Sequence, residues 1–474
     1  MARSSRWRRV RIRTDHRTAV PADASRLSVP VTRRRYEVLR ESAENRFTGR
    51  HVEQVWWCWQ GPLDPERFVA AWQSVTDREA VLRAAYERKP TPRIVFHPHA
   101  RTEVVRHPAG TVDWDGLLEQ DRLHGFDVSR PGPLRVTLAD TEVPDGIRVL
   151  LTFHNGLLDA RSVFVLQNEF SRAYLAGGVL PGGERRPDIR DWTCWLERQD
   201  TTPAQDFFSR ALPAGRPVVL PLPPGPRTRQ HGRGRAEARL TTTEADRLHR
   251  WAATRGLPDS SVMHAAWALL LYRAARATGP VPVSFGITVS GRGIALDCAE
   301  RLVGPLRTCL PVTVLVDPAW TITRLLDALR DRVLDMAVYE WVSLGQIREW
   351  TGRPAPLPQS LVSMEPTPCW PAVLQARLAA EGLRFGRQHT DGVHPALPVA
   401  LLVRSGADGS RTLAVVHDRT RISDTDARLL AGQCARLLLH LPTLDGSETI
   451  SEVLDEVRAD EPPGAAAPRH DAGY

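Results

Sequence analysis

One stretch restricts the architecture more than any other. From Ala211 to Arg235 the chain reads ALPAGRPVVLPLPPGPRTRQHGRGR, proline-rich and then basic. Proline has no N–H to donate and a fixed φ, so neither a helix interior nor a central strand can run through such a segment. The chain must divide there, with its own strands and helices on each side. At 474 residues it is long enough for more than one domain of about 100–200 residues.

Both sides carry such a set. Before the break, VEQVWWCWQ is rich in aromatic and β-branched residues and reads as a strand, and PERFVAAWQSVTDREAVLRAAYE, Pro65 to Glu87, carries apolar residues at helical spacing. IRVLLTF places Ile147, Val149, Leu151 and Phe153 on one face of a second strand. DARSVFVLQNEFSRAYLAGG follows as a helix ending at Gly177 and Gly178. After the break come a strand near Ala236–Leu240, a helix from Thr243, the nearly all-apolar helix SSVMHAAWALLLYRAARA, and the strand VPVSFGITVSGR turning at Gly291. A helix apolar most of the way round is a core helix. These elements predict an α/β (α+β) chain in two similar halves. The expected boundaries are a flexible basic tail over 1–24, an N-terminal lobe over 25–180, a linker and proline-rich loop over 181–235, a C-terminal lobe over 236–459 and a flexible tail over 460–474.

Composition excludes several function classes. Hydrophobic residues make up 42% and charged residues 25%, ordinary for a soluble globular protein. Lys89 is the only lysine, so the net charge of +8 rests on arginine spread along the chain rather than on a nucleic-acid-binding face. That charge would steer acidic partners. Cys58, Cys194, Cys298, Cys309, Cys369 and Cys434 lie far apart, with no metal-ligand spacing and no disulfide framework. The basic N-terminus has no apolar stretch behind it, and no apolar run is long enough to span a membrane. The reading is a cytoplasmic protein with reduced thiols.

The chemistry-bearing segment is Phe153-His154-Asn155-Gly156-Leu157-Leu158-Asp159-Ala160-Arg161-Ser162, where a hydrophobic strand gives way to an amphipathic helix. It resembles the HHxxxDG signature of nonribosomal-peptide condensation domains, in the degenerate form His-Asn-x-x-x-Asp-Ala. Further blocks follow in the family's order. GPLDPERFVAAW resembles its opening helix GxLdxxxLxxAw, and REAVLR resembles RHExLR with Glu79 in place of histidine. FDVSRPGPLRV resembles pfDLxxxPLxRv, FGITVSGR resembles GtxxsGR, and LVGPLRTCLPV resembles mvGxxxNTlPv with Thr308 where asparagine is usual. The resemblance spans roughly Ser28 to Leu441.

It implies two chloramphenicol-acetyltransferase-like lobes in a V-shaped pseudo-dimer, with a central tunnel and the signature at its middle. The family joins an acyl thioester on one carrier protein to an amine or alcohol, on a second carrier or free, giving an amide or ester. No metal or other cofactor is implied, because the phosphopantetheine arm belongs to the acyl or peptidyl carrier protein. The candidate catalytic set is Asn155, His154 and Asp159, with Arg292, Ser162 and Thr308 in support.

Counting back from Asp159, the family's catalytic histidine falls at Asn155. His154 matches the first, structural histidine. Neighbours on an extended chain point to opposite faces, so His154 cannot replace it. An asparagine amide donates and accepts hydrogen bonds but does not take up a proton near neutral pH. Asn155 thus either orients the nucleophile or the oxyanion, or occupies a vestigial site. Asp159 fits a helix N-cap, while the family uses this position for an ion pair across the lobe junction, with Arg292 of SGR as partner. Ser162 and Arg161 fit capping or surface roles at the helix start. His394 and His417 are possible substitute bases. Trp56, Trp57 and Trp59 read as packing residues, and Cys309 as a buried thiol.

Three functions follow. The first is a stand-alone condensation enzyme, monomeric, with carrier proteins supplied in trans and neither nucleic acid nor membrane as partner. The second is a catalytically silent module that binds carrier proteins or recruits tailoring enzymes; one domain of glycopeptide synthetases that recruits oxygenases also lacks the second histidine. The third is a coenzyme A-dependent acyltransferase.

Overall fold

The computed structural model describes residues 28–459 apart from 45–47, 89, 183–185, 211–215, 223–227, 353–357, 366–369, 392–396 and 407. The expected tails at 1–24 and 460–474 lie outside the described residues. Two compact units divide the chain.

In the first unit, strand Val52–Gln60 alternates Val55, Trp57 and Trp59 inward on one face, a period-two pattern that commits it to a sheet. It pairs antiparallel with Gly146–His154, which pairs antiparallel with Leu134–Asp140, which in turn pairs parallel with Glu103–His107. The register sets Glu53 opposite Phe153 and Val52 opposite His154. Helices Pro65–Arg78 and Ala160–Leu175 meet through Trp72 stacked on Phe170, with ring centroids 4.6 Å apart. Trp59 packs edge-on against Phe68 and Tyr174, members of the same two helices. The opposite face of the sheet holds helix Trp114–His124, onto whose Leu118 carbonyl Gln54 donates at 3.0 Å. A small antiparallel sheet of Ser28–Pro30, Arg93–Phe96 and Ala84–Glu87 completes the unit.

In the second unit a six-stranded sheet runs in the order Thr308–Val316, Val281–Val289, Ser360–Glu365, Val399–Ser405, Arg411–Asp418, Arg233–Leu240. Helix Asp259–Ala275 is buried from Ser261 through Tyr272, as its all-round apolar sequence demands.

Three expectations change. The helical spacing over 65–87 does not make one helix: Glu79 leaves the helix with extended backbone (φ −88°, ψ 111°), and Ala84–Glu87 becomes a strand paired with Arg93–Phe96. The expected linker over 181–235 holds helices Ile189–Glu197 and Thr202–Arg210, the first started by a capping box of Asp188 and Asp191 with Ile189 and Trp192 buried. The expected C-terminal lobe over 236–459 is not one unit, because 290–307 and 368–394 belong with the first. The physical reason is visible in both returns. Arg292 is bound to Asp159, and the short strands Arg384–Phe385 and His389–Asp391 pair antiparallel with the free edge of Val52–Gln60.

Candidate functional site

The signature strand Gly146–His154 ends at the point where its two faces acquire different tasks. His154 faces away from the helix Ala160–Leu175 and is 1% exposed. Its Nδ1 accepts the Gly156 N–H at 3.1 Å. Its Nε2 lies 2.8 Å from Ser42 Oγ, which itself donates to the Val38 carbonyl at 2.8 Å. The Ser42 hydrogen is therefore committed, and Nε2 carries the imidazole proton and donates. Burial, helped by the neighbouring His51, pushes the His154 pKa down to about 3. A Cβ at position 156 would meet the imidazole Cε1 at 2.9 Å, so the close turn calls for Gly156. A neutral imidazole with both nitrogens engaged is a packing group, not an available base.

Asp159 caps the next helix and holds an ion pair at once. Its Oδ1 accepts the Ser162 N–H at 2.8 Å, the N-cap bond, and lies 2.8 Å from Ser162 Oγ. Arg292 grips both oxygens in the bidentate fork, Nη1 to Oδ2 and Nη2 to Oδ1, each at 2.9 Å. The N–H groups of Leu306 and Arg307 both donate to Oδ2 at 2.9 Å. Burial opposes ionisation of this carboxyl, but the Arg292 charge and these donors outweigh it and hold its pKa below the ordinary value. The expected pair forms inside the first unit, because the segment 290–307 belongs to that unit. Gly291 makes the approach possible: its φ is +67°, and a Cβ there would meet the Leu306 carbonyl oxygen at 2.1 Å. Ser162, expected at a capping or surface position, is instead fully buried; its Oγ accepts from the Gly304 N–H at 2.9 Å and from Arg292 Nη2 at 3.1 Å.

Asn155 is half-buried. Its N–H donates to the His51 carbonyl at 2.8 Å, continuing the strand pairing by one step. Its Nδ2 donates to Glu53 Oε1 at 3.3 Å. Of the candidate catalytic set, Asn155 alone presents a half-exposed polar group, while His154 and Asp159 support it from within.

Thr308 opens strand Thr308–Val316 in the second unit and is buried. His417, also in the second unit, is wholly buried, with Nε2 3.0 Å from Asp424 Oδ1. His394 lies outside the described residues. Trp57 and Trp59 are core residues, whereas Trp56 faces the other way and stacks on His389 at 4.0 Å between ring centroids. Cys309 is half-buried rather than buried. Glu79, where the resemblance has histidine, is buried against Arg186, and burial raises its pKa despite that charge.

The sequence reading missed Glu53, Ser42 and the amides of Leu306 and Arg307. Glu53 had a signal: it breaks the apolar set Val55, Trp57, Trp59 on its own face. Among the described residues no three His, Cys, Asp or Glu side chains converge as a metal site. No described helix is long and apolar enough to cross a membrane.

Comparison with known proteins bears on this geometry. The model of the Condensation domain family matches residues 45–388. A linear gramicidin synthase chain from Brevibacillus parabrevis is 32% identical over 307 residues, covering 62% of this chain and 6% of that protein. Chondramide synthase from Chondromyces crocatus is 29% identical over 324 residues, covering 64% of this chain and 8% of that protein. The chain thus spans only a small fraction of the curated relatives it matches. Among solved structures, the first condensation domain of the calcium-dependent antibiotic synthetase, in complex with a substrate analogue, aligns with a TM-score of 0.73 at 16% identity, covering 90% of this chain and 98% of that one. The X-domain from teicoplanin biosynthesis aligns with a TM-score of 0.71 at 21% identity, covering 92% and 98%. The fold is the chloramphenicol-acetyltransferase-like fold of these neighbours, mixed in helix and sheet.

Proposed function

This chain belongs to the condensation-domain family, and from that premise we propose that it joins an acyl thioester on a carrier protein to an amine, with Asn155 orienting the reactants. The acyl group arrives on the phosphopantetheine arm of the carrier, which is a substrate here rather than a resident group. The amine nitrogen attacks the thioester carbonyl, the tetrahedral adduct collapses, and the products are an amide and the free thiol of the arm.

The observation that carries this reading is the state of the two halves of the signature. Asp159 is fully engaged by Arg292, Ser162 and two backbone N–H groups. The other end, at Asn155, is only half-buried, and its side-chain amide meets the Glu53 carboxylate. The anchor supports the fold in either case, so it is the partly exposed amide of Asn155, carried on that anchored turn, that favours a working site.

Magnitudes favour the amine. General base catalysis supplies about 10²–10⁴-fold, whereas holding two reactants in place is worth about 7–11 kcal/mol. An amine attacks a thioester without prior deprotonation, while an alcohol gains far more from a base.

The alternative is a catalytically silent module that binds carrier proteins. The fact in its favour is that Asn155 stands where a proton acceptor is expected. Mass spectrometry decides between them, with the protein mixed with loaded carrier proteins and candidate amines. Amide formed faster than without the protein supports condensation. Carrier binding with no product, across amine and alcohol acceptors, supports the silent module. Product from a free coenzyme A thioester alone would make the donor coenzyme A.

A further inference from the structure

The signature leaves the reaction without an imidazole, yet the structure sets a titratable group against the position where it is missing. Glu53 lies on strand Val52–Gln60, opposite Phe153, at the point where that strand leaves the apolar core. Its Oε1 accepts from Asn155 Nδ2 at 3.3 Å, and both residues are half-buried rather than enclosed in the core. With Nδ2 turned toward the carboxylate, Asn155 Oδ1 is the end left to accept a hydrogen bond from an incoming amine. Of the nearby imidazoles, His154 is neutral with both nitrogens engaged, while His51 has its Nε2 2.9 Å from Glu41 Oε2 and meets Asn155 through its backbone carbonyl rather than its ring.

We propose that Glu53 is the proton acceptor of this site, with Asn155 holding the nucleophile beside it. The inference rests on the reading that the chain performs condensation. The amine lone pair forms the new C–N bond while the carbonyl π pair moves to oxygen, and the nitrogen becomes an ammonium. Its surplus proton passes to the Glu53 carboxylate. As the carbonyl re-forms, the C–S bond breaks, and the departing sulfur takes that proton from the Glu53 carboxyl, giving amide, thiol and the starting carboxylate. A carboxylate is a weak base beside an imidazole, but the group it must deprotonate is an ammonium rather than a neutral alcohol. This again selects for amine acceptors.

The test compares the full chain with Glu53→Gln and Glu53→Asp. The probes are a holo carrier protein loaded in turn with each of the twenty proteinogenic aminoacyl groups, and n-butylamine as acceptor. Glutamine still accepts from Asn155 Nδ2 but takes no proton. Glu53→Gln is therefore expected to lower kcat by about 10²–10⁴-fold, with KM for the loaded carrier unchanged. Glu53→Asp keeps a carboxylate at shorter reach and falls between the two. Glu53→Gln turning over like the parent overturns the role of Glu53 and leaves the condensation reading standing. So does Glu53→Asp as slow as the reaction without protein. A parent that binds every loaded carrier and forms no amide with any overturns the condensation reading, and the role of Glu53 with it.

Discussion

Asn155 and Asp159 stand one helical turn apart in the sequence, and the protein treats them oppositely. Asp159 is buried, and both its oxygens are engaged by a guanidinium, two loop amides, a helix N–H and a hydroxyl. Asn155 is half-exposed and held by one backbone bond to His51 and one side-chain bond to Glu53. The contrast separates support from chemistry within a single motif. A buried charge that must stay in place needs every lone pair satisfied. A group that must meet a substrate has to keep part of its hydrogen-bonding capacity in reserve.

The hardest blow to that contrast is Asp159→Ala. It leaves Arg292 buried with its carboxylate gone, and breaking such a pair costs about 3–5 kcal/mol. The expected outcome is a large fall in Tm and in the urea midpoint, with soluble yield reduced. A loss near 1 kcal/mol, about the value of an N-cap alone, would show that the ion pair contributes nothing beyond the cap and would erase the distinction between the two residues.

Asn155→Ala probes the other side. It should leave Tm almost unchanged and lower kcat by about 10²-fold, the scale on which a misplaced reactant slows, because the nucleophile loses the acceptor that holds it. Carrier affinity should stay the same. Asn155→His places an imidazole beside the Glu53 carboxylate and is expected to raise the rate above that of the parent. Full activity in Asn155→Ala would move the chemistry away from the motif altogether.

Acid titration of stability sharpens the comparison further. The His154 pKa falls to about 3 in the folded state against an ordinary 6.5, so between those values the unfolded chain binds a proton that the folded chain refuses. Stability is therefore present above about pH 6.5 and declines as pH falls toward 3, by about 1.4 kcal/mol per pH unit at full slope. His154→Gln should flatten part of this limb. His264, pushed down to about 4 by burial in the second unit, contributes a limb of its own that the variant leaves intact. Asp159 acts at lower pH with the same sign: its depressed folded pKa gives stability above the ordinary carboxylate value of 3.8, lost as pH drops through the folded one. A stability profile unchanged by His154→Gln would mean that the ring is not buried neutral.

Ser42→Ala is the smallest test. It strands the His154 Nε2 proton without its acceptor, at a cost of about 1–3 kcal/mol. Turnover per folded molecule should not change, because Ser42 touches the supporting histidine and not Asn155.

Much of this was legible in the residues. Strand Val52–Gln60 and helix Ala160–Leu175 appear where periodicity and the closing pair Gly177 and Gly178 put them. His154 faces away from Asn155 as strand alternation requires. Asp159 reads in the sequence as either a cap or an ion-pair partner, and it is both, because its two oxygens have different neighbours. The turn at Glu79 was not legible: Arg78 and Ala80 continue a helical pattern, and only the pairing of Ala84–Glu87 with Arg93–Phe96 ends it. Helix Ile189–Glu197 was hidden by the prolines that follow it.

What the sequence by itself determined is local. It set the alternation and helical period of each element, the turn at which the signature strand becomes a helix, the loss of a proton acceptor at Asn155, and the family to which the blocks belong. What only the tertiary structure decided is which distant residues meet. Register brings Glu53 alongside the end of the signature strand, and two segments from beyond the proline-rich break return to the first unit, one to place Arg292 on Asp159 and one to extend the sheet edge at Val52–Gln60. Periodicity acts over a few residues and says which face a side chain takes. A partner across the fold is chosen by the packing of the whole unit, where a shift of one residue along a strand would have turned Glu53 to the opposite face.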